Sequence, residues 1–128
     1  MPKYHSNFEK LLDKGPLSVA KYHPKPIYYV VPEQVCQYTP DWLYKNWYIE
    51  SKGRFRTKAE ATKYIHIRDS LEEGKKFIFV FQNPNTPMPG SKRRKDGTKF
   101  SVSEWADKHN FIWATIDNVM EILDEGIR

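Results

Sequence analysis

The dipeptide Pro40-Asp41 and the triplet Glu50-Ser51-Lys52 are the residues of this chain whose types and spacing could do chemistry. Side chains alternate along a strand, so in an extended segment Glu50 and Lys52 point one way and Ser51 the other. An Asp41 on the paired strand would bring a second carboxylate close to Glu50, and the two would repel unless a cation sat between them. Oxygen donors of this kind suit Mg²⁺, with Mn²⁺ as a substitute, and both ions keep waters available for reaction. Such a set would serve phosphodiester hydrolysis, with metal ions activating water and neutralising the phosphoryl group while Lys52 orients the water or stabilises charge. The same residues would also describe a solvated hairpin face with one surface ion pair.

Several elements must position these residues. Tyr38 to Tyr44, a turn at Lys45-Asn46, and Trp47 to Ser51 read as a β-hairpin. Upstream, Asn7 to Lys14 reads as a short helix with Ser6 as N-cap, Glu9 completing a capping box, and Gly15-Pro16 as a left-handed stop. Tyr28 to Val31, bounded by Pro26 and Pro32, reads as an edge or bridging strand with restricted pairing. Thr57 and Glu60 cap a helix whose apolar face carries Ala61, Tyr64, Ile65, Ile67 and Leu71, and Gly74 is the expected end. The unbroken run Phe77 to Phe81 predicts a strand covered on both faces at the sheet centre. Asn83 to Gly97 lacks an apolar period and predicts an exposed loop. A helix capped by Ser101 and Glu104, a strand from Phe111 to Ala114, and a closing helix marked by Ile116, Val119, Met120 and Leu123 complete the chain. The expected architecture is α/β, with helices flanking a mixed sheet in one domain over residues 1–128.

Composition narrows the partners. With 39% hydrophobic and 15% aromatic residues the chain can build a core. No apolar run approaches the roughly 20 residues that span a bilayer, so a soluble, unexported protein without a membrane partner is expected. The lone Cys36 excludes an internal disulfide and a thiolate metal cluster, and a reducing cytoplasm fits. The net charge is +5 and unevenly spread: Lys52, Arg54, Arg56, Lys58 and Lys63 form one basic stretch, and Lys92, Arg93, Arg94, Lys95 and Lys99 another. A polyanion is the expected partner, with the loop over 83–99 contacting DNA or, alternatively, merely solvated.

The runs Gln37-Tyr38-Thr39-Pro40-Asp41-Trp42-Leu43 and Ile49-Glu50-Ser51-Lys52-Gly53 resemble the bacteriophage endonuclease I family of Holliday-junction resolvases, within the PD-(D/E)xK nuclease superfamily. Ser6-Asn7-Phe8-Glu9 resembles that family's helix presenting its first catalytic glutamate, and Tyr28-Tyr29-Val30-Val31-Pro32 the strand that bridges its two subunits. Lys63 to Arg68, Phe77 to Phe81, and Ser103-Glu104-Trp105 with Lys108-His109 extend the likeness over residues 6–114. The resemblance implies a restriction-endonuclease-like fold, a domain-swapped homodimer exchanging residues 27–32, Mg²⁺ dependence, and paired nicks in four-way and other branched DNA. It implies Glu9, Asp41 and Glu50 as metal or water-positioning carboxylates, Lys52 as the catalytic lysine, and the cytoplasm of an infected bacterium as the setting. In the swapped arrangement Glu9 of one chain completes the site of the other. A monomeric nicking enzyme and a catalytically silent nucleic-acid-binding module are the rival readings.

Other residues carry two readings each. Glu9 is fully explained as a helix cap as well as a catalytic acid. Arg68, on the apolar face of its helix, should pair with a buried acid or reach a phosphate. His5, His23, His66 and His109 share no ligand spacing and are expected on the surface, with no metal assigned to them. The four tryptophans are expected in the core, and Cys36 is expected to be inert.

Overall fold

A computed structural model of the chain describes residues 4–31 and 34–125. Its elements in order are α1 (Asn7–Lys14), β1 (Lys21–Tyr22), β2 (Ile27–Val31), β3 (Gln34–Tyr38), β4 (Trp42–Tyr44), β5 (Trp47–Lys52), α2 (Lys58–Asp69), β6 (Lys76–Phe81), α3 (Val102–Lys108), β7 (Ile112–Ala114) and α4 (Val119–Glu125). Five strands form a mixed sheet in the order β1-β4-β5-β6-β7, and β2 and β3 form a separate antiparallel ribbon. The β4–β5 hairpin is antiparallel and β6 adds to β5 in parallel, with α2 as the crossover.

Alternation along β6 builds the core on both sides of the sheet. Phe77, Phe79 and Phe81 enter one cluster with Tyr64 and Ile67 of α2 and Trp105 of α3. Ile78 and Val80 enter the other with Phe8 and Leu12 of α1 and Ile122 of α4. This is the doubly covered strand expected of an unbroken apolar run. The middle position belongs to β5, however, and β6 lies beside it. Trp42, Trp47 and Trp105 are buried, as core tryptophans should be.

The expected strand from Tyr38 to Tyr44 is divided. Tyr38 ends β3 in the ribbon, Trp42 begins β4 in the main sheet, and Pro40-Asp41 lies between them. Pro40 has no N–H to give to a ladder, so it suits the point where the chain changes sheets. The strand β1 has no counterpart in the sequence reading, because two residues cannot display a period. The strand over 27–31 pairs along its length with β3 of its own chain, from Ile27 with Tyr38 to Val31 with Gln34. Pro32, expected to end it, lies outside the described residues.

Helix ends also differ from expectation. Gly15 follows α1 with φ −106°, so no left-handed stop forms; a Cβ there would lie 2.8 Å from the Leu11 carbonyl oxygen, and close approach is what requires glycine. The helix α2 stops at Asp69, where the Ser70 hydroxyl bonds back to the His66 carbonyl at 2.8 Å. Gly74, at φ +85°, instead serves the turn into β6. The segment 83–99 is irregular but has an apolar anchor: Met88 is buried, and its N–H donates to the Phe100 carbonyl at 2.7 Å. No described helix is long and apolar enough to cross a membrane.

Candidate active site

The carboxyl end of β5 carries the cleft. Glu50 and Lys52 project toward α2, while Ser51 faces the α1 side, as strand alternation dictates. Asp41, just before β4, accepts hydrogen bonds at Oδ2 from the Ser51 N–H at 3.0 Å and the Ser51 hydroxyl at 2.9 Å. Phe8 and Leu12 seat α1 in the core beside Trp42 and Ile49, which turns Glu9 inward next to Asp41. Glu9, Asp41 and Glu50 are buried acids, only 3%, 7% and 7% exposed, yet all border an open cleft of about 580 Å³. Buried carboxylates without a full set of cationic partners are costly, so their retention here points to a ligand that supplies the missing positive charge.

Each acid has its own surroundings. Two tyrosines grip Glu50: Tyr38 donates to Oε1 and Tyr64 donates to Oε2 at 3.0 Å, with the Lys52 ammonium 3.8 Å from Oε2. Burial, and next the charge of Asp41, push the Glu50 carboxyl up to about 8, against the opposing pull of Lys52 and the two hydroxyls. Burial likewise raises Asp41; the Ser51 N–H opposes the rise and the Glu9 charge adds to it. Burial beside Glu50 holds the Tyr38 and Tyr64 hydroxyls far above the usual tyrosine range, so both remain neutral donors.

Lys52 has a partner that spacing alone explained differently. Its ammonium lies 2.8 Å from Glu60 Oε2. The other Glu60 oxygen accepts from the Arg56 N–H at 2.6 Å, so Glu60 caps one residue outside the N-cap Thr57 and does not close the expected box. Burial would raise the Glu60 carboxyl, but Lys52 and Arg56 outweigh it and hold it below the ordinary value. Glu9 is similar: Ser6 accepts the Glu9 N–H, but the Glu9 carboxylate reaches the His5 N–H and the Tyr22 hydroxyl, not the Ser6 N–H. Only Ser101 and Glu104 form a reciprocal capping box among the described helices.

The predicted DNA-contacting residues other than Arg68 fall into three places. Arg54 and Arg56 are exposed on the cleft wall. Lys58 and Lys92 flank a neighbouring groove between the start of α2 and the Met88 segment, and Lys63 lies 5.1 Å from the Tyr64 ring centre. Arg93, Arg94 and Lys95 are exposed on the loop, where Arg94 pairs with Glu104 at 2.8 Å. Arg68 reaches neither a buried acid nor the cleft. It donates to the His109 carbonyl at the end of α3, lies 4.4 Å from the Phe111 ring centre, and meets the exposed Asp69 at 3.3 Å.

The arrangement also gathers residues that spacing did not single out. Tyr22, Tyr38, Tyr64 and Glu60 orient the charged groups, and His5 and His23 stand beside Glu9 and Asp41. Glu60 alone left a signal, in the Thr57-x-x-Glu60 spacing. The tyrosines and His23 arrive through β1, β3 and α2, elements far apart in sequence.

Three buried acids, a lysine tied to a fourth acid, and arginines on the wall can hold a divalent cation and a phosphate together. Free lone pairs on Asp41 and Glu9 fit such an ion. The family model described as phage endonuclease I matches residues 4–126 of the chain. No curated protein and no solved structure matches it.

Proposed function

The chain belongs to the phage endonuclease I family, an endonuclease family acting on DNA, and on that premise we propose a Mg²⁺-dependent, structure-selective endodeoxyribonuclease that resolves four-way and other branched DNA. The observation that carries this reading is the convergence of Glu9, Asp41, Glu50 and Lys52 on one cleft bordered by Arg54 and Arg56. Asp41, Glu50 and Glu9 would hold the metal, with Mn²⁺ able to substitute. When bound, that ion supplies Lewis-acid stabilisation of a phosphoryl oxygen and a more acidic water. Lys52 offers its ammonium to the developing negative charge or to the attacking water, and Glu60 fixes where that ammonium sits. Tyr38 and Tyr64 keep Glu50 in one orientation. Arg54 and Arg56 take up flanking phosphates, reading backbone geometry and not base sequence.

Paired cuts across a junction require two sites, hence a homodimer of a restriction-endonuclease-like domain. The ribbon supports this: Tyr28, Val30 and Val35 are exposed apolar side chains on β2 and β3, where a second copy would cover them. A monomeric nicking enzyme is the second reading, favoured by one observation. Glu9 borders the same chain's own cleft, the arrangement that a monomeric site would use. The physical cause is the packing of Phe8 and Leu12 into the chain's own core. Incubation with a synthetic four-way junction, with and without Mg²⁺, tests the proposal; symmetric paired cuts only with the metal are expected. Intact junctions in both arms would refute it, and single nicks by a protein sedimenting as a monomer would favour the second reading. The cytoplasm of an infected bacterium is the compartment this activity would serve.

A further inference from the structure

On the α1 side of the cleft, His5, Glu9, His23 and Asp41 each direct one possible ligand atom into a common space, all within 4.8 Å of one another. His5 Nδ1 is 3.9 Å from Glu9 Oε2, and His23 Nε2 is 3.9 Å from Glu9 Oε1. These separations are too long for hydrogen bonds. Metal–ligand bonds of about 2.0–2.2 Å place neighbouring donor atoms roughly 3 to 4 Å apart across a shared ion. The two carboxylates also have lone pairs to spare. Asp41 commits Oδ2 to Ser51, and Glu9 commits Oε1 to Tyr22 and the His5 N–H. Among the described residues no hydrogen-bond donor reaches Asp41 Oδ1 or Glu9 Oε2. Both acids are more than nine-tenths buried.

We propose that His5, Glu9, His23 and Asp41 form a binding site for a borderline transition-metal dication such as Zn²⁺ or Co²⁺. Its two-nitrogen, two-oxygen donor set shares Glu9 and Asp41 with the oxygen-only set of Glu9, Asp41 and Glu50 that suits Mg²⁺, and differs from it by the two imidazoles. Elements brought from three places hold it. His5 precedes the N-cap of α1, and Glu9 lies one turn into that helix. His23 follows β1 in a left-handed conformation with φ +49°, its N–H donating to the Asp41 carbonyl at 2.6 Å. Its ring stacks on Tyr22 with centres 4.0 Å apart, and Tyr22 in turn donates to Glu9, which orients two ligands at once.

Co²⁺ is the probe, because imidazole ligands give it visible d–d absorption that can be titrated without DNA. The wild-type chain should bind one Co²⁺ with such bands. Loss of an outer partner of a metal ligand costs about 10- to 100-fold in affinity, so loss of a ligand should cost no less. The combined His5→Ala and His23→Asn variant should therefore weaken Co²⁺ by more than about 100-fold. Asparagine is chosen because it tolerates the left-handed backbone. His5→Ala alone changes a side chain that is 71% exposed, so the fold should survive, and at least about a tenfold loss is expected. Unchanged Co²⁺ affinity and spectrum in the two variants would overturn the site. The outcome is separable from the nuclease reading: a chain that binds Co²⁺ through these histidines but leaves junctions intact sinks only that reading, and one that cuts junctions while the variants keep Co²⁺ sinks only this site.

Discussion

On the α2 side of β5, both Glu50 oxygens accept from tyrosine hydroxyls, Tyr38 and Tyr64, and the Lys52 ammonium pairs with Glu60. On the α1 side, Glu9 and Asp41 keep one oxygen each without a donor among the described residues, with two imidazoles alongside. The difference separates preorganisation from reception. Groups that must hold one orientation while charge develops gain from fixed hydrogen bonds, because reorganisation is then complete before reaction. Groups that must take up an ion need spare lone pairs.

The sharpest way to break this comparison is to remove one member from each side. Asp41→Asn and Lys52→Ala should each lower single-turnover cleavage of a four-way junction by about 10² to 10³ or more, on the scale of losing one preorganised charge-stabilising group. Junction binding, measured separately, should persist, because both residues act on the transition state more than on phosphate contacts. Undiminished cleavage by either folded variant would remove it from the site.

Next in size is a pH effect from the closed side. The folded chain holds the Glu50 proton to about pH 8, whereas an ordinary glutamate releases it near 4.5. Between those values the folded state binds more protons than the unfolded one, so stability falls as pH rises, by at most about 1.4 kcal/mol per pH unit. Asp41, also raised, adds a fall of the same sign. Thermal melts of metal-free protein should show this decline from about pH 5 to about pH 8, and Glu50→Gln should remove most of it. A flat wild-type profile would mean that Glu50 is not desolvated as its surroundings imply.

Glu60 should give a smaller effect, confined to rate. As a positioning residue it acts through Lys52, and Glu60→Gln should slow cleavage by roughly tenfold, near the lower end of what outer partners contribute. Glu60→Asp should recover part of that rate, which a purely structural role at the start of α2 would not require. If Glu60→Gln reduced stability but left the single-turnover rate unchanged, Glu60 would be a helix cap and nothing more.

The convergence of Glu9, Asp41, Glu50 and Lys52 on one cleft could be read because these residues lie on or beside elements with strong local signals. Glu50 and Lys52 share a face by strand alternation, and Asp41 is brought to them by a two-residue hairpin at Lys45-Asn46. Phe77 to Phe81 likewise announced a strand buried on both faces. What escaped depends on contacts between distant segments. Tyr22 and His23 enter through a two-residue strand too short for any period, and Tyr38 through a ribbon whose separation from the main sheet rests on Pro40. Glu60 was visible but already accounted for as a cap. A residue with a sufficient local explanation gives no sign of a second, tertiary role.

The smallest expected effect concerns the two basic regions, which differ as the two sides of β5 do. Arg54 and Arg56 stand on the cleft wall, whereas Lys92, Arg93, Arg94 and Lys95 lie on the loop beyond the Met88 anchor. A DNA backbone entering the cleft would meet the first pair whatever its shape, and only a substrate extending past α2 would meet the second group. Taking the cationic partner away from one phosphate should lower the slope of log affinity against log salt by about 0.9. Neutralising Lys92, Arg93 and Lys95 together should therefore flatten the slope for branched and linear DNA alike, while cleavage of bound junctions stays unchanged. Arg94 should add little, since its guanidinium is already paired with Glu104 at 2.8 Å across the start of α3. An unchanged slope in the triple variant would place the loop outside the interface. A slope that fell further on Arg94→Ala would show that DNA draws that arginine away from Glu104, and that the loop rearranges on binding.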